Sequence, residues 1–246
     1  MKECSKSIAR RLSDPNFSNR YFVGQGLDIG GKPDPLALYV ELFSKIERVR
    51  TWDREDGDAQ FLQGVEDGRY DFVHSSHCLE HLDDPRQGLE NWFRVLKPGG
   101  HLVLLIPDED LYEQGAFPST HNRDHKWTFT LHKLKSWSDK SVNLLPLLIG
   151  LGGQSEVVKI ELLTSTYRFN LPRYDQTRSP VGECGIEAVV RKRLKEEVER
   201  GGRVPSRSVP RDREMRIHLN QYADDAETLR QANADFPPFR NDKELS

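Results

Sequence analysis

The 246-residue sequence has no long apolar run and no apolar segment near its start. Its most apolar stretch, residues 144–151, contains Pro146 and is far shorter than the roughly 20 residues of a membrane-spanning helix. The opening MKECSKSIARRLSD lacks the apolar centre of a signal peptide. We therefore expect a cytoplasmic protein without a membrane span.

The sequence also lacks a cysteine framework and an excess of positive charge. Its three cysteines, Cys4, Cys78 and Cys184, are odd in number and widely spaced, which predicts reduced thiols rather than disulfides. The formal net charge is -3, whereas a surface that follows nucleic-acid phosphates is basic. No nucleic-acid partner is expected.

What the sequence has is an alternation of strand and helix patterns around the segment QGLDIGGKPDP, residues 25–35. This segment is typical of a buried strand that ends in an acid and two glycines. Periodicity predicts strands over residues 21–29, 48–52, 69–76, 101–106, 157–164 and 185–193, and helices over 36–46, 83–96 and 136–149. The βαβ alternation predicts an α/β fold with a doubly wound, mostly parallel sheet.

Three parts are expected along the chain. Residues 1–20 are polar with a short helical pattern, which predicts a cap segment or a frayed terminus. Residues 21–193 form the main domain, with a polar and aromatic lid at 108–135. Residues 194–246 are rich in charge and predict a helical C-terminal extension through which a homodimer could form.

Ligands of doubly wound sheets bind beyond the carboxyl ends of the strands. This rule places residues 28–32, 53, 75–77 and 107–110 near one another. Asp53, one residue past a predicted strand, is placed to accept hydrogen bonds from both hydroxyls of a ribose. Asp58 and Ala59 could then meet an adenine ring.

Two short patterns point elsewhere and are set aside. Residues 26–32 match a phosphate loop, but Pro33 stands where the Mg²⁺-binding hydroxyl belongs. Residues 77–81, HCLEH, match an inverted zinc-protease pattern, but the first histidine directly follows a strand rather than sharing a helix face with the second. A strand-to-helix turn is the favoured interpretation, and no metal site is expected there.

Four segments together resemble the class I S-adenosylmethionine-dependent methyltransferases. They are LDIGG at 27–31, DA at 58–59, YDFVHSSHCLEHL at 70–82 and RVLKPGGHLVLLIPD at 94–108. The resemblance implies S-adenosylmethionine as cofactor and an antiparallel last strand formed by the late strand pair. It also implies binding roles: Asp28, Gly30 and Gly31 near the methionine moiety, Asp53 at the ribose, Asp58 and Ala59 at the adenine, and Ser76 and His77 along the cleft.

The chain departs from that family in two places. Lys32 and Asp34 stand at the later glycine positions of the family's first loop. Only about 17 residues separate Asp53 from Tyr70, too few for a full helix, strand and helix, so one crossover helix and its strand are expected to be truncated.

Methyl transfer to a hydroxyl needs a base, and several side chains are candidates. The predicted catalytic residues are His77, Asp108 and His125, with Asp110 and His121 as further candidates. In THNRDHKWTF, two histidines flank Asp124; they could be a base with its orienting acid, ligands of a divalent metal, or parts of a packed lid, which is favoured. The aromatic side chains expected at the acceptor are Tyr112, Phe117, Trp127 and Tyr167.

Two functions follow from the resemblance. The first is a methyltransferase acting on a hydroxyl of a small molecule or glycan, as in methyltransferases encoded with enzymes of surface-polysaccharide biosynthesis. The second is a cofactor-binding or partner-binding protein that keeps the fold without turnover, which the missing glycines and the charged extension favour.

Overall fold

Six strands form the main sheet of the computed structural model, which describes residues 3–131 and 133–203. Their order is β2-β1-β3-β4-β8-β7, and a separate parallel pair joins β5 to β6. The strands are β1 (Gly24–Ile29), β2 (Ile46–Trp52), β3 (Tyr70–Ser76), β4 (Leu96–Pro107), β5 (Thr128–Thr130), β6 (Ser141–Asn143), β7 (Ser155–Leu162) and β8 (Gly185–Lys192).

The direction of the strands confirms the predicted fold class. β1 pairs in parallel with β2 and β3, and β3 pairs in parallel with β4. β8, the last strand, is antiparallel to β4 on one side and to β7 on the other. The sheet is therefore mostly parallel, with the antiparallel last strand that the resemblance implies.

Apolar side chains cover both faces of the sheet. Successive strand residues point to opposite faces, so Leu102 and Leu104 join one buried cluster while Val103 joins another. This double burial explains why β4 is an almost continuous apolar run.

The described residues contain four α-helices, of which α2 and α3 connect strands, α1 precedes β1 and α4 follows β8. The helices are α1 (Glu3–Ser13), α2 (Pro85–Arg94), α3 (Leu144–Ile149) and α4 (Lys195–Glu199). α2 packs Trp92 on the first cluster and α1 packs Cys4 and Ile8 on the second. The side chain of Asp84 accepts hydrogen bonds from the first turn of α2, which confirms the predicted start of that helix.

The predicted helix over residues 36–46 is wrong. This segment is a 3₁₀ helix over Leu36–Leu42, and β2 already begins at Ile46. The parallel register sets Ile46 beside Gly24, at the start of β1, so the connection must return along the whole strand. A 3₁₀ helix rises about 2.0 Å per residue against 1.5 Å in an α-helix, and it spans that distance with fewer residues.

The predicted helix over residues 136–149 is correct only in its last part. Residues 141–143 form β6, and α3 begins at Leu144, with Pro146 in the first turn, where the missing N–H is tolerated. The Ser136 side chain donates a hydrogen bond to buried Glu109 at 2.7 Å, and this contact holds the preceding segment outside a helix.

Residues 53–69 contain turns and no helix or strand, which agrees with the predicted truncation. From residue 204 onward, the predicted C-terminal extension and the homodimer assigned to it lie outside the described residues. Among the residues that the structure describes, no helix is long and apolar enough to span a membrane.

Candidate functional site

Two cavities adjoin at the carboxyl edge of the sheet, beyond the ends of β1, β2 and β3. The Asp53 cavity, of about 500 Å³, is lined by Trp52, Asp53, Asp58 and Ala59, among others. The Asp28 cavity, of about 170 Å³, is lined by Asp28, Asp34, Ser76 and two residues of α1, among others. Both linings include Gly30, Lys32, His77 and His81.

Asp53 is held at the mouth of the first cavity by backbone hydrogen bonds. Its Oδ2 accepts the Lys32 N–H at 3.0 Å and its Oδ1 accepts the Arg54 N–H at 2.9 Å. The side chain is half-buried. Because a carboxylate has about four acceptor positions, two remain for a ligand.

Asp58 and Ala59 follow in the same connection. The Asp58 Oδ1 atom accepts the Gln60 N–H at 2.8 Å, which forms a tight turn. The Ala59 carbonyl accepts the indole N–H of buried Trp92 at 2.8 Å. The turn and the indole fix this wall of the cavity to α2.

Gly30 forms the wall shared by both cavities. Its φ of +69° is left-handed, and a Cβ at this position would lie 2.7 Å from the Cβ of Cys78. The chain after β1 and the chain after β3 therefore approach each other so closely at Gly30 that only glycine fits at this position.

Replacing Gly30 by alanine should destabilise the fold through this contact. Gly64 also has a positive φ, +77°, but nothing lies within 4 Å of its Cβ position. We expect Gly30→Ala to cost roughly 1 to 3 kcal/mol more than Gly64→Ala, because only the former adds overpacking to the backbone strain. Urea unfolding of both variants measures the difference, and equal costs would contradict the close packing of Gly30 on Cys78.

Lys32 and Asp34 occupy the positions where the resembled family has glycine. The Lys32 ammonium is paired with Glu55 at the surface. Asp34 is buried, where it accepts the Ser5 N–H at 2.8 Å and the hydroxyl of Tyr39. Asp34 therefore connects the first loop to α1 and to the 3₁₀ helix.

Asp28 lies at the end of a buried polar chain. Its Oδ2 accepts the Leu36 N–H at 2.7 Å, and its Oδ1 lies 2.6 Å from Nδ1 of His74. Nε2 of His74 lies 3.0 Å from Nη1 of Arg11, and Nε of Arg11 donates to Glu187 at 2.8 Å. A guanidinium only donates, so Nε2 of His74 must accept, and the proton of the neutral ring is on Nδ1.

His77 and Ser76 end β3 beside the cavities. His77 has a positive φ of 52°, and neither of its ring nitrogens has a hydrogen-bond partner among the described residues. Its Nδ1 lies 3.5 Å from Glu80 and its Nε2 lies 3.9 Å from Glu3. Burial holds the pKa of His77 well below its usual value, so the imidazole is neutral. The buried Ser76 hydroxyl also lacks a partner.

The other two predicted catalytic residues line neither cavity. Asp108 caps the turn that follows β4, accepting the N–H groups of Asp110 and Leu111, and burial raises its pKa to about 6. His125 is buried, with its Nδ1 2.6 Å from Glu113. Burial lowers the pKa of His125, but the hydrogen bond to Glu113 and the charge of Glu80 outweigh it and raise this pKa.

Two of the predicted acceptor aromatics, Tyr112 and Tyr167, lie in one apolar cluster, whereas Trp127 packs on another. Tyr112 packs against His121 and His125, with ring centroids 5.8 and 5.1 Å away. Trp127 donates its indole N–H to the Leu82 carbonyl at 3.0 Å, and Tyr167 packs against the cluster of Leu111, Tyr112 and Cys184.

Sequence reasoning missed several residues at this edge. Glu3 and Cys4 come from a polar N-terminal helix, and Asn122 comes from the long connection after β4. His81 lines both cavities, and its neighbour Glu80 is fully buried. The HCLEH pattern was the available signal for the last two.

Comparison with known proteins adds a family match. The model of a family described as a methyltransferase domain matches residues 4–141, more than half of the chain. An uncharacterized 37.1 kDa protein in transposon TN4556 of Streptomyces fradiae is 39% identical over 66 residues. That match covers 27% of this chain and only 19% of the relative.

Solved structures with a similar fold are distant in sequence. A SAM-dependent methyltransferase from Archaeoglobus fulgidus is 20% identical, and the match covers 78% of this chain and 95% of that one with a TM-score of 0.45. A putative methyltransferase from Bacillus halodurans is 17% identical, with coverages of 63% and 68% and a TM-score of 0.46.

Proposed function

The chain belongs to the methyltransferase-domain family, whose enzymes depend on S-adenosylmethionine, and we propose that it transfers the methyl group of this cofactor to a hydroxyl of a small molecule or glycan. One observation carries the proposal. The Asp53 cavity joins a half-buried carboxylate after β2 to the glycine turn after β1 and extends to His77 after β3.

The residues of the Asp53 cavity fit an adenosyl group. Its volume of about 500 Å³ lies within the roughly 300–1,000 Å³ of small-molecule sites. The free acceptor positions of Asp53 suit the two ribose hydroxyls, and Ala59 offers an apolar surface to the adenine. Asp58 keeps Oδ2 for the exocyclic amine.

The methionine end would lie toward Gly30 and Gly31. A Cβ on Gly31 would meet Oδ2 of Asp28 at 2.4 Å, so the turn runs directly over that carboxylate. Since both Asp28 oxygens already accept hydrogen bonds, we assign Asp28 to shaping this turn, with Ser76 and His77 facing the cleft.

Bound S-adenosylmethionine supplies an electrophilic methyl group on a sulfonium sulfur. The chain's own residues hold the acceptor in line and exclude water. A hydroxyl acceptor must also lose a proton, and we assign its removal to His77, a neutral imidazole with two unpartnered nitrogens at both cavities. Asp108 is engaged as a cap, and His125 has only its Nε2 free, which faces Glu80.

Asp53→Ala should weaken binding of S-adenosylmethionine by roughly 1 to 3 kcal/mol, because the ribose hydroxyls lose a charged acceptor. Isothermal titration calorimetry with the purified full chain measures this change. Asp67→Ala is the matched control: this exposed carboxylate belongs to the same connection but lines neither cavity.

The two variants separate the outcomes. No heat with the parent protein at millimolar cofactor would refute the proposed function. Equal affinities of the Asp53→Ala and Asp67→Ala variants would leave cofactor binding intact and refute the assigned ribose site.

Turnover is tested with a panel of hydroxyl-bearing metabolites and glycans. Release of S-adenosylhomocysteine with one acceptor class supports the transferase and names its substrate. Cofactor binding without release from any acceptor supports the second function, a binding protein that has lost turnover.

A further inference from the structure

Glu80 is a buried carboxylate without hydrogen bonds. It lies in the 3₁₀ turn Leu79–His81 after β3, its side chain is fully buried, and neither oxygen accepts a hydrogen bond from residues that the structure describes. A buried carboxylate with no donor is costly and calls for a compensating positive charge. Neither a lysine nor an arginine forms an ion pair with Glu80 in the described part of the chain.

Three imidazoles face this carboxylate, and the nearest nitrogen is Nδ1 of His77, 3.5 Å from Oε1 of Glu80. Nε2 of His81 and Nε2 of His125 each lie 3.8 Å from Oε1 of Glu80, too far for a hydrogen bond. The three atoms all lie within 4.8 Å of one another.

The outer nitrogens of both rings are already engaged. Nδ1 of His81 lies 3.1 Å from the Asp124 carbonyl, and Nδ1 of His125 lies 2.6 Å from Oε1 of Glu113. A carbonyl and a carboxylate accept, so each ring donates from Nδ1, and the neutral form of each ring has its lone pair on Nε2. The two Nε2 atoms and Oε1 of Glu80 therefore form a cluster of three potential ligand atoms.

We propose that Glu80, His81 and His125 bind a divalent transition-metal ion, with Zn²⁺ as the first candidate. Two imidazole nitrogens and one carboxylate oxygen form a ligand set typical of zinc sites that keep a fourth position open. In such sites the ligating histidines usually donate their other N–H to a carbonyl or a carboxylate, which forms the outer shell. Mg²⁺ and Ca²⁺ prefer oxygen ligands and fit this set less well.

Metal binding requires the three ligand atoms to move closer together. Ligand atoms about 2.0–2.1 Å from a tetrahedral ion lie roughly 3.3 Å apart, against 3.8 Å from Glu80 to each histidine nitrogen and at most 4.8 Å between the two histidine nitrogens. His81 is 32% exposed and lines both cavities, so the ion would be reached from the cleft. A water molecule would fill the fourth position.

This arrangement differs from both sequence patterns. The HCLEH pattern pairs His77 with His81, and the lid pattern pairs His121 with His125. In the structure, the set around Glu80 takes one histidine from each pattern, His81 and His125; His77 contacts Glu80 but lies outside the set, and His121 packs on Tyr112. The two segments come together because Lys126 N–H donates to the Glu80 carbonyl at 2.9 Å.

The test is metal binding by the untagged full chain after removal of metals with a chelator. We expect calorimetry to give one Zn²⁺ per chain, and Co²⁺ to give the intense visible absorption of a four- or five-coordinate site. His125→Ala, His81→Ala and Glu80→Gln should each weaken Zn²⁺ binding by about a hundredfold or more, and Glu113→Gln, which changes only the outer shell, by about 10- to 100-fold.

His101→Ala is the matched control. It also removes an imidazole, but from the middle of β4, beside Phe72 and away from the carboxyl end of β3. Circular dichroism of the metal-free variants shows which ones fold. If a variant of a buried ligand does not fold, Glu113→Gln and His81→Ala still test the proposal. Absence of Zn²⁺ binding in the parent, or binding that persists in the ligand variants, overturns the proposal. Neither outcome bears on methyl transfer, because no measurement involves the cofactor.

Discussion

Glu187→Gln should lower the free energy of unfolding by about 3 to 5 kcal/mol, the cost of breaking a buried ion pair. Glu187 is fully buried on β8, where it accepts hydrogen bonds from Arg10 at 2.5 Å and from Arg11 at 2.8 Å. Arg11 is also fully buried, and its guanidinium packs over the rings of Phe17 and Phe22. The glutamine would leave this cation without its counter-ion.

The same pair predicts how stability depends on pH. Burial alone would raise the pKa of Glu187, but the charges of Arg11 and Arg10 lower it to about 2. A folded-state pKa below the unfolded value of about 4.5 stabilises the fold above pH 4.5, and this contribution is lost as the pH falls to 2. The stability difference between the parent and Glu187→Gln should therefore shrink by roughly 3 kcal/mol over that interval.

Urea unfolding at several pH values measures both effects, with Glu161→Gln as the control. Glu161 lies directly opposite Glu187 on β7 and pairs with the same Lys159, but it is exposed. An exposed pair contributes at most about 1 kcal/mol. Equal losses in the two variants, or a difference that does not change with pH, would contradict the buried pair.

The sheet was predictable because its signals are local. Runs such as HLVLLI, with glycines at their ends, predict buried parallel strands, and a short span between Asp53 and Tyr70 predicts a truncated crossover. The 3₁₀ helix after β1 was not predictable, since its apolar spacing is equally compatible with an α-helix. The pairing register, a long-range property, decided between them.

The polar interior was predictable only in part. Asp28 and Asp53 could be placed at strand ends from the pattern alone. The buried residues linked to Asp28 could not be predicted, because they are far apart along the chain. Arg11 and His74 are separated by 63 residues, and His74 and Glu187 by 113. Their types are also typical of surface positions, and nothing in the spacing shows which of them are buried together. For the same reason, the approach of His125 to Glu80 could not be predicted from the sequence.

Asp28→Asn should cost roughly 3 kcal/mol, because an amide cannot satisfy both neighbours of this carboxylate. One neighbour is the Leu36 N–H, and the other is Nδ1–H of His74. Whichever way the amide turns, its NH₂ group faces a donor. His74 cannot relieve the conflict by moving its proton to Nε2, since Nε2 faces the Arg11 guanidinium.

Asp34→Asn is the matched control, with an expected cost below about 1 kcal/mol. Asp34 is also buried and accepts two hydrogen bonds, but one donor is the Tyr39 hydroxyl, which can rotate and accept from an amide. Urea unfolding of both variants tests this difference. The Asp28→Asn cost should also fall by about 1 to 2 kcal/mol in a His74→Leu background, where one of the two opposing donors is gone. Equal costs for the two asparagine variants, with no coupling to His74, would mean that the proton of His74 is not fixed on Nδ1 by Arg11.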